Sequence, residues 1–326
     1  MADPNMIIAG VARGIFSKGG YLRPTLFLIC MLLFSGCKQQ LPNERDPEQK
    51  IRIVATTGMI QDAAANIAGK HADVVALMGP GVDPHLYKAT HGDLERLTTA
   101  DIIFYNGLHL EGKMGEIFEK LGRIKPVVAV AENIPEEMLR KVPGFQGAYD
   151  PHIWFDVKLW AEAVKGISTF LQEYDSAHRD EYRQRGDAYL KKLDSLHAAV
   201  TNTLQDIPAT QRVLITAHDA FGYFGDAYKI EVRGLQGIST MSEFGLRDVT
   251  DLVNFIIARK VKAIFVETSV SQKSIEAVLQ GCREKGWNVK IGGTLFSDAM
   301  GNAGTPEGSY VGMVNANVRK IVESLK

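Results

Sequence analysis

The sequence predicts an α/β protein of two lobes, each with a parallel-type sheet flanked by helices, joined by one long rigid helix. Three observations carry that prediction. Short β-branched runs, nearly continuous in apolar residues as in strands buried on both faces, alternate with amphipathic stretches of helical period. The alternation runs once from Ile51 and begins again near residue 212. Between the two series lies an apolar stripe spaced for a single helix much longer than its neighbours.

Residues 1–36 read as an export signal. Lys18 and Arg23 precede PTLFLICMLLFSGC, an apolar run too short for a comfortable membrane span. It closes on Ser35-Gly36-Cys37, which resembles the lipobox of bacterial lipoproteins, with Phe34 where leucine is more usual. That resemblance implies that Cys37 is lipidated and becomes the mature N-terminus; the alternative is an uncleaved anchor helix. Residues 37–50, polar and proline-containing, read as a tether. The N-terminal lobe spans 51–175, with strands IRIVATT, DVVALM, DIIFYN and PVVAV and helices that include 58–69, 91–99 and 111–122. The connecting helix falls in 176–207. Tyr182, Tyr189, Leu193, Leu196, Val200 and Leu204 recur at steps of three, four or seven, Ser176 is placed to cap its start, and Pro208 ends it. Residues 179–206 would span ~42 Å, and bending so continuous a helix breaks backbone bonds. The C-terminal lobe, 208–326, repeats the plan with strands at 212–217, 262–268 and 289–296 and helices near 246–260, 271–285 and 309–325.

Charge and cysteine content narrow the function. Lysine plus arginine (37) and aspartate plus glutamate (38) nearly cancel, so the chain has no electrostatic footprint for nucleic acid. Beyond Cys37 the sole cysteine is Cys282, which leaves any metal to histidine and carboxylate. Two stretches, GVDPHLYK (81–88) and YDPHIWFD (149–156), repeat Asp-Pro-His. Proline fixes its own φ and pushes the preceding residue into extended geometry, so each unit is a stiff mount for its imidazole. Ligands of open α/β sheets bind just beyond the carboxyl ends of the strands. His85 follows VVALM, His152 follows PVVAV after a long excursion, His218 lies just past VLIT, and Asp298 follows GGTLF. Three imidazoles and a carboxylate suit a borderline divalent ion such as zinc or manganese. Two donors come from each lobe, which puts the ion in the cleft between them. His71, His91, His109, His178 and His197 sit in a polar turn, near helix starts or on the connecting helix, and read as structural.

In order, GPGVDPHLYKAT, NGLHLEGKMGE, DPHIWFDVKLW, LITAHDAFGYF, LQGIST and LFSDAMG resemble the TroA-type metal-binding lipoproteins and periplasmic proteins, the substrate receptors of zinc and manganese ABC importers. The resemblance covers essentially the whole mature chain. It implies two α/β lobes, a buried ion held by His85, His152, His218 and Asp298, permease and ATPase partners, and an exported protein held to a bacterial membrane by its lipid. The third ligand is histidine where manganese receptors of this group often place glutamate. Segment 132–150 also lacks the histidine-rich loop of many zinc receptors, so both ions stay open. Asp83 and Asp150 either accept a free ring N–H of their histidines or cap turns, and the same pair of readings applies to Asp219. Glu267, at a strand end, is a further candidate to face the cleft. Two rival functions stand beside transport: a zinc hydrolase, which would need an open coordination position and a nearby base although the chain lacks HExxH, and a surface adhesin with incidental metal.

Overall fold

The computed structural model describes residues 49–142 and 147–326; the signal 1–36, Cys37 and nearly all of the tether 37–50 lie outside the described residues. The elements run β1 (Ile51–Ala55), α1 (Gly58–Ala68), β2 (Ala72–Ala76), α2 (His91–Thr99), β3 (Ile102–Tyr105), α3 (Gly115–Gly122), β4 (Val127–Ala129), α4 (Val157–Tyr174), α5 (Arg179–Leu204), β5 (Val213–His218), α6 (Gly222–Tyr228), β6 (Glu231–Gln236), α7 (Leu246–Ala258), β7 (Ala263–Glu267), α8 (Lys273–Glu284), β8 (Lys290–Leu295) and α9 (Tyr310–Leu325). β1 to β4 form one parallel sheet in the order β2-β1-β3-β4. The strands of the second lobe form two parallel pairs, β5-β6 and β7-β8, with β5 lying beside β7. No helix among the described residues is long and apolar enough to cross a membrane.

Strands at the sheet centres are apolar on both faces because helices cover both. β5 and β7 are buried along their whole length. β6, α4 and α6 stand outside the sequence reading. β6, EVRGLQ, is only half-buried and carries the apolar signal of an edge strand rather than of a core one. The stretch read as a helix from 111 is helical only from Gly115. Before it, Gly107, Leu108 and His109 all have positive φ, and the buried Glu111 carboxylate turns back to accept the backbone N–H of Asn106 at 2.8 Å. A helix cannot form across that turn.

Helix α5 is the predicted long helix, and all six residues of its stripe are buried. Ser176 does not cap it. Ser176–His178 form a single 3-10 turn, and the junction with α4 is organised by Asp175, whose carboxylate receives His178 Nδ1 at 2.8 Å and the Tyr182 hydroxyl at 2.6 Å. α5 is packed rather than free-standing, with α4 and α1 along one part and α9 along another. The main apolar core is continuous from Ile51 of the first sheet through α5 to Leu325 of the last helix. Pro47–Lys326 is accordingly one compact unit with its own core.

Candidate metal centre

Each sequence-predicted donor is aimed by a different local device. His85 lies in the segment that follows β2. There Gly81, at φ 72°, makes a turn whose Cβ position would sit 3.3 Å from the Thr268 carbonyl oxygen beyond β7. Asp83 Oδ1 accepts the His85 backbone N–H at 2.9 Å. His152 is reached after β4 through short 3-10 turns and one antiparallel bridge, Lys141 to Tyr149. Asp150 Oδ1 accepts its backbone N–H at 3.0 Å and lies 2.7 Å from its ring Nδ1. His218 is the last residue of β5. Its backbone N–H donates to Glu267 Oε1 at 2.9 Å, and its ring Nδ1 lies 2.6 Å from Glu267 Oε2, a charge contact without hydrogen-bond alignment. Asp298 follows β8, where the indole N–H of Trp154 donates to the Ser297 carbonyl at 2.9 Å and ties its segment to that of His152.

The strand beneath His218 needs a glycine. A Cβ on Gly234 of β6 would stand 2.4 Å from the Asp219 amide nitrogen and 2.6 Å from the His218 carbonyl carbon. Those are backbone atoms and cannot swing aside. Gly234→Ala should therefore cost about 1–3 kcal/mol in urea unfolding and weaken metal binding by displacing His218. Unchanged values of both would show that β5 can slide without consequence.

The four side chains converge. One ligand atom from each of His85, His152, His218 and Asp298 lies within 4.8 Å of all the others, and every residue is buried to 2% exposure or less. His85 Nε2 and His152 Nε2 are 3.2 Å apart, His218 Nε2 is 3.3 Å from Asp298 Oδ2, and His152 Nε2 is 3.5 Å from Asp298 Oδ1. A tetrahedron with metal–ligand bonds of ~2.0–2.1 Å has edges of ~3.3–3.4 Å, and these three separations are close to that. The set also holds orphaned atoms: His218 Nε2 and Asp298 Oδ1 are buried with no hydrogen-bond partner. Carboxylates can only accept, so Asp150 fixes the proton of His152 on Nδ1 and leaves its Nε2 facing the centre, whereas Glu267 stands against the Nδ1 side of His218 as a charge.

Electrostatics point the same way. Burial holds the His85 imidazole down at about 3, neutral and ready to ligate. Burial also opposes a charge on His218, but the fields of Glu267 and Asp298 overcome it and raise that imidazole well above the ordinary range. Burial alone would raise Asp298; the imidazoles, His218 foremost, hold it well below the usual carboxylate range instead. Asp150, Glu267 and Asp298 are three buried carboxylates, offset among their contacts by the Arg140 guanidinium, whose Nε is 3.7 Å from Asp150 Oδ2. A divalent cation at the centre would offset Asp298 and the two carboxylates behind the rings, which lowers the cost of burying them.

The second-ring candidates divide. Asp150 and Glu267 contact the rings of their histidines, whereas Asp83 caps only the backbone of His85. Asp219 lines a cavity beside the site together with His85 and His109. Three supporting residues escape the sequence reading. Arg140 pairs with Asp226 at 2.8 Å and stands beside Asp150. Glu111 receives the Thr56 hydroxyl at 2.6 Å at the point where the first sheet reverses its strand order. Asn106 donates to the Pro151 carbonyl at 3.0 Å, bracing the second mount. None of the other five histidines joins the four donors; His109 lines the neighbouring cavity, His71 stacks on His178 with ring centroids 3.8 Å apart, and His197 meets Tyr228.

Comparison with known proteins agrees with this geometry. A family model described as zinc-uptake complex component A periplasmic (ZnuA) matches residues 53–324. The manganese-binding lipoprotein MntA of Bacillus subtilis (strain 168) is 48% identical over 283 residues, 86% of this chain and 92% of MntA. The zinc-binding protein TroA of Treponema pallidum (strain Nichols) is 52% identical over 273 residues, 84% of this chain and 88% of TroA. The solved structure of that periplasmic zinc binding protein matches with a TM-score of 0.83 at 51% identity, covering 85% of this chain and 99% of its own. The two-lobe α/β fold expected from the motifs is thus the fold of TroA, and the chain belongs to the ZnuA family of periplasmic zinc-uptake components.

Proposed function

We propose that this chain is the extracytoplasmic receptor of a metal ABC importer, capturing zinc or manganese with His85, His152, His218 and Asp298 and handing it to the permease. The observation that carries the reading is the convergence of four buried donors beside buried carboxylates whose charge a divalent cation would offset. The names of its relatives support transport and divide over the ion: MntA is a manganese-binding lipoprotein and TroA a zinc-binding protein. Lipid on Cys37 would hold the receptor to the membrane, with residues 37–50 as its tether. A hydrolytic zinc keeps an open coordination position for water, whereas four buried protein donors favour carriage over catalysis.

Raw affinity runs manganese below zinc for any such donor set, so manganese delivery would depend on supply rather than on binding strength. The test is elemental analysis of residues 37–326 carrying Cys37→Ser after competition between the two ions. About one zinc per chain that manganese does not displace supports zinc capture, and manganese that holds against zinc supports manganese supply. Chains without tightly held metal would overturn the reading. Capture should weaken as the pH falls, starting above the ordinary imidazole range, because the raised His218 must give up a proton to bind the ion while His85 stays neutral down to about 3.

A further inference from the structure

The two Asp-Pro-His mounts share a sequence and differ in what their aspartates hold. Asp150 turns to its own histidine. Asp83 caps the His85 backbone with Oδ1 and with Oδ2 accepts a 2.6 Å hydrogen bond from the Thr240 hydroxyl. Thr240 belongs to the segment 237–245 between β6 and α7, in the other lobe. One short bond to a carboxylate therefore joins the mount of a candidate ligand to a loop 157 positions away.

That loop also borders the way in. A cavity of about 420 Å³ is walled on one side by Gly237, Ser239 and Ser242 and on the other by Leu108, His109 and Tyr149. Of the four donors only His85 lines it. The loop is exposed at Met241 (56%), and its other hydrogen bonds are long: Ser242 N–H to Ser239 O at 3.1 Å, Met241 N–H to Ser239 Oγ at 3.3 Å, Gln236 Nε2 to Ser242 O at 3.3 Å and Asp219 N–H to Gly237 O at 3.4 Å. Segments with so few buried contacts open at low cost.

We propose that the Thr240–Asp83 hydrogen bond is a latch, which holds segment 237–245 against the His85 mount and sets the rate at which the captured ion leaves. The proposal rests on the metal-receptor reading above and makes Thr240 a positioning residue. It acts on release because breaking one bond frees both the loop at the cavity mouth and the aspartate beside His85. The four donors themselves are untouched, so stoichiometry stays at one ion.

The test uses residues 37–326 with Cys37→Ser, loaded with zinc and chased with excess chelator in a stopped-flow instrument. Thr240→Val, which keeps the shape and removes the donor, should release zinc about 10-fold faster, the kinetic weight of one hydrogen bond to a charged acceptor. Thr240→Ser should restore release to near the parent rate, and both variants should still bind one zinc per chain. Release from Thr240→Val at the parent rate would overturn the latch while leaving the metal site intact, as would equal acceleration in Thr240→Ser. A parent protein that binds no zinc would overturn the receptor reading and the latch with it.

Discussion

His218→Ala should leave the protein without tightly held metal and about 3–5 kcal/mol less stable, a penalty expected when one partner of a buried charge pair is removed. The size follows from what the imidazole touches. Glu267 Oε2 is 2.6 Å from Nδ1 and Asp298 Oδ2 is 3.3 Å from Nε2, and both carboxylates are essentially inaccessible to water. Without His218 they remain as two uncompensated charges, and the missing ring adds a cavity. Elemental analysis gives the metal content and urea unfolding gives the stability. The double variant His218→Ala/Glu267→Gln separates the two losses. Removing one orphaned charge should restore part of the stability and none of the metal. A His218→Ala protein that still retains one ion per chain would exclude His218 from the site.

The sequence pointed to the four candidate donors because His218 ends an apolar strand, the other three follow strands at greater distance, and six motifs fall in order around them. The long helix was equally plain, since its stripe is spaced for burial on one side only. What supports the donors was hidden for a physical reason. Asn106, Glu111 and Thr240 fall inside quoted motifs and Arg140 does not, but nothing local says which remote group each of them meets. Their partners are remote: Arg140 meets Asp226 across 86 positions and Thr240 meets Asp83 across 157. Glu111 carried a misleading signal, because it sits at helical spacing from the residues of α3 yet folds back onto the turn before it. β6 was obscured in the opposite way. Its Gly234 and charged residues weaken the strand pattern, and that same glycine is what lets β6 close against His218.

The two Asp-Pro-His units should respond unequally to the same substitution. Asp150→Asn should weaken metal binding about 10–100-fold, the usual consequence of disturbing the group that orients a ligating histidine. Asp150 Oδ1 holds the Nδ1 proton of His152 at 2.7 Å, and its other oxygen faces the Arg140 guanidinium at 3.7 Å. The amide would lose the acceptor charge that orients the His152 ring, and it would take a carboxylate away from beside Arg140. Asp83→Asn should change affinity only a few-fold, because an amide oxygen can still accept the His85 backbone N–H and Asp83 does not touch the His85 ring. Competition against a chelator of known affinity measures both. Equal losses would mean that the two aspartates act through general charge at the cleft. Unequal losses in the expected order would mean that a repeated tripeptide has been put to two uses, one aspartate setting how firmly the ion is gripped and the other joining the lobes that enclose it.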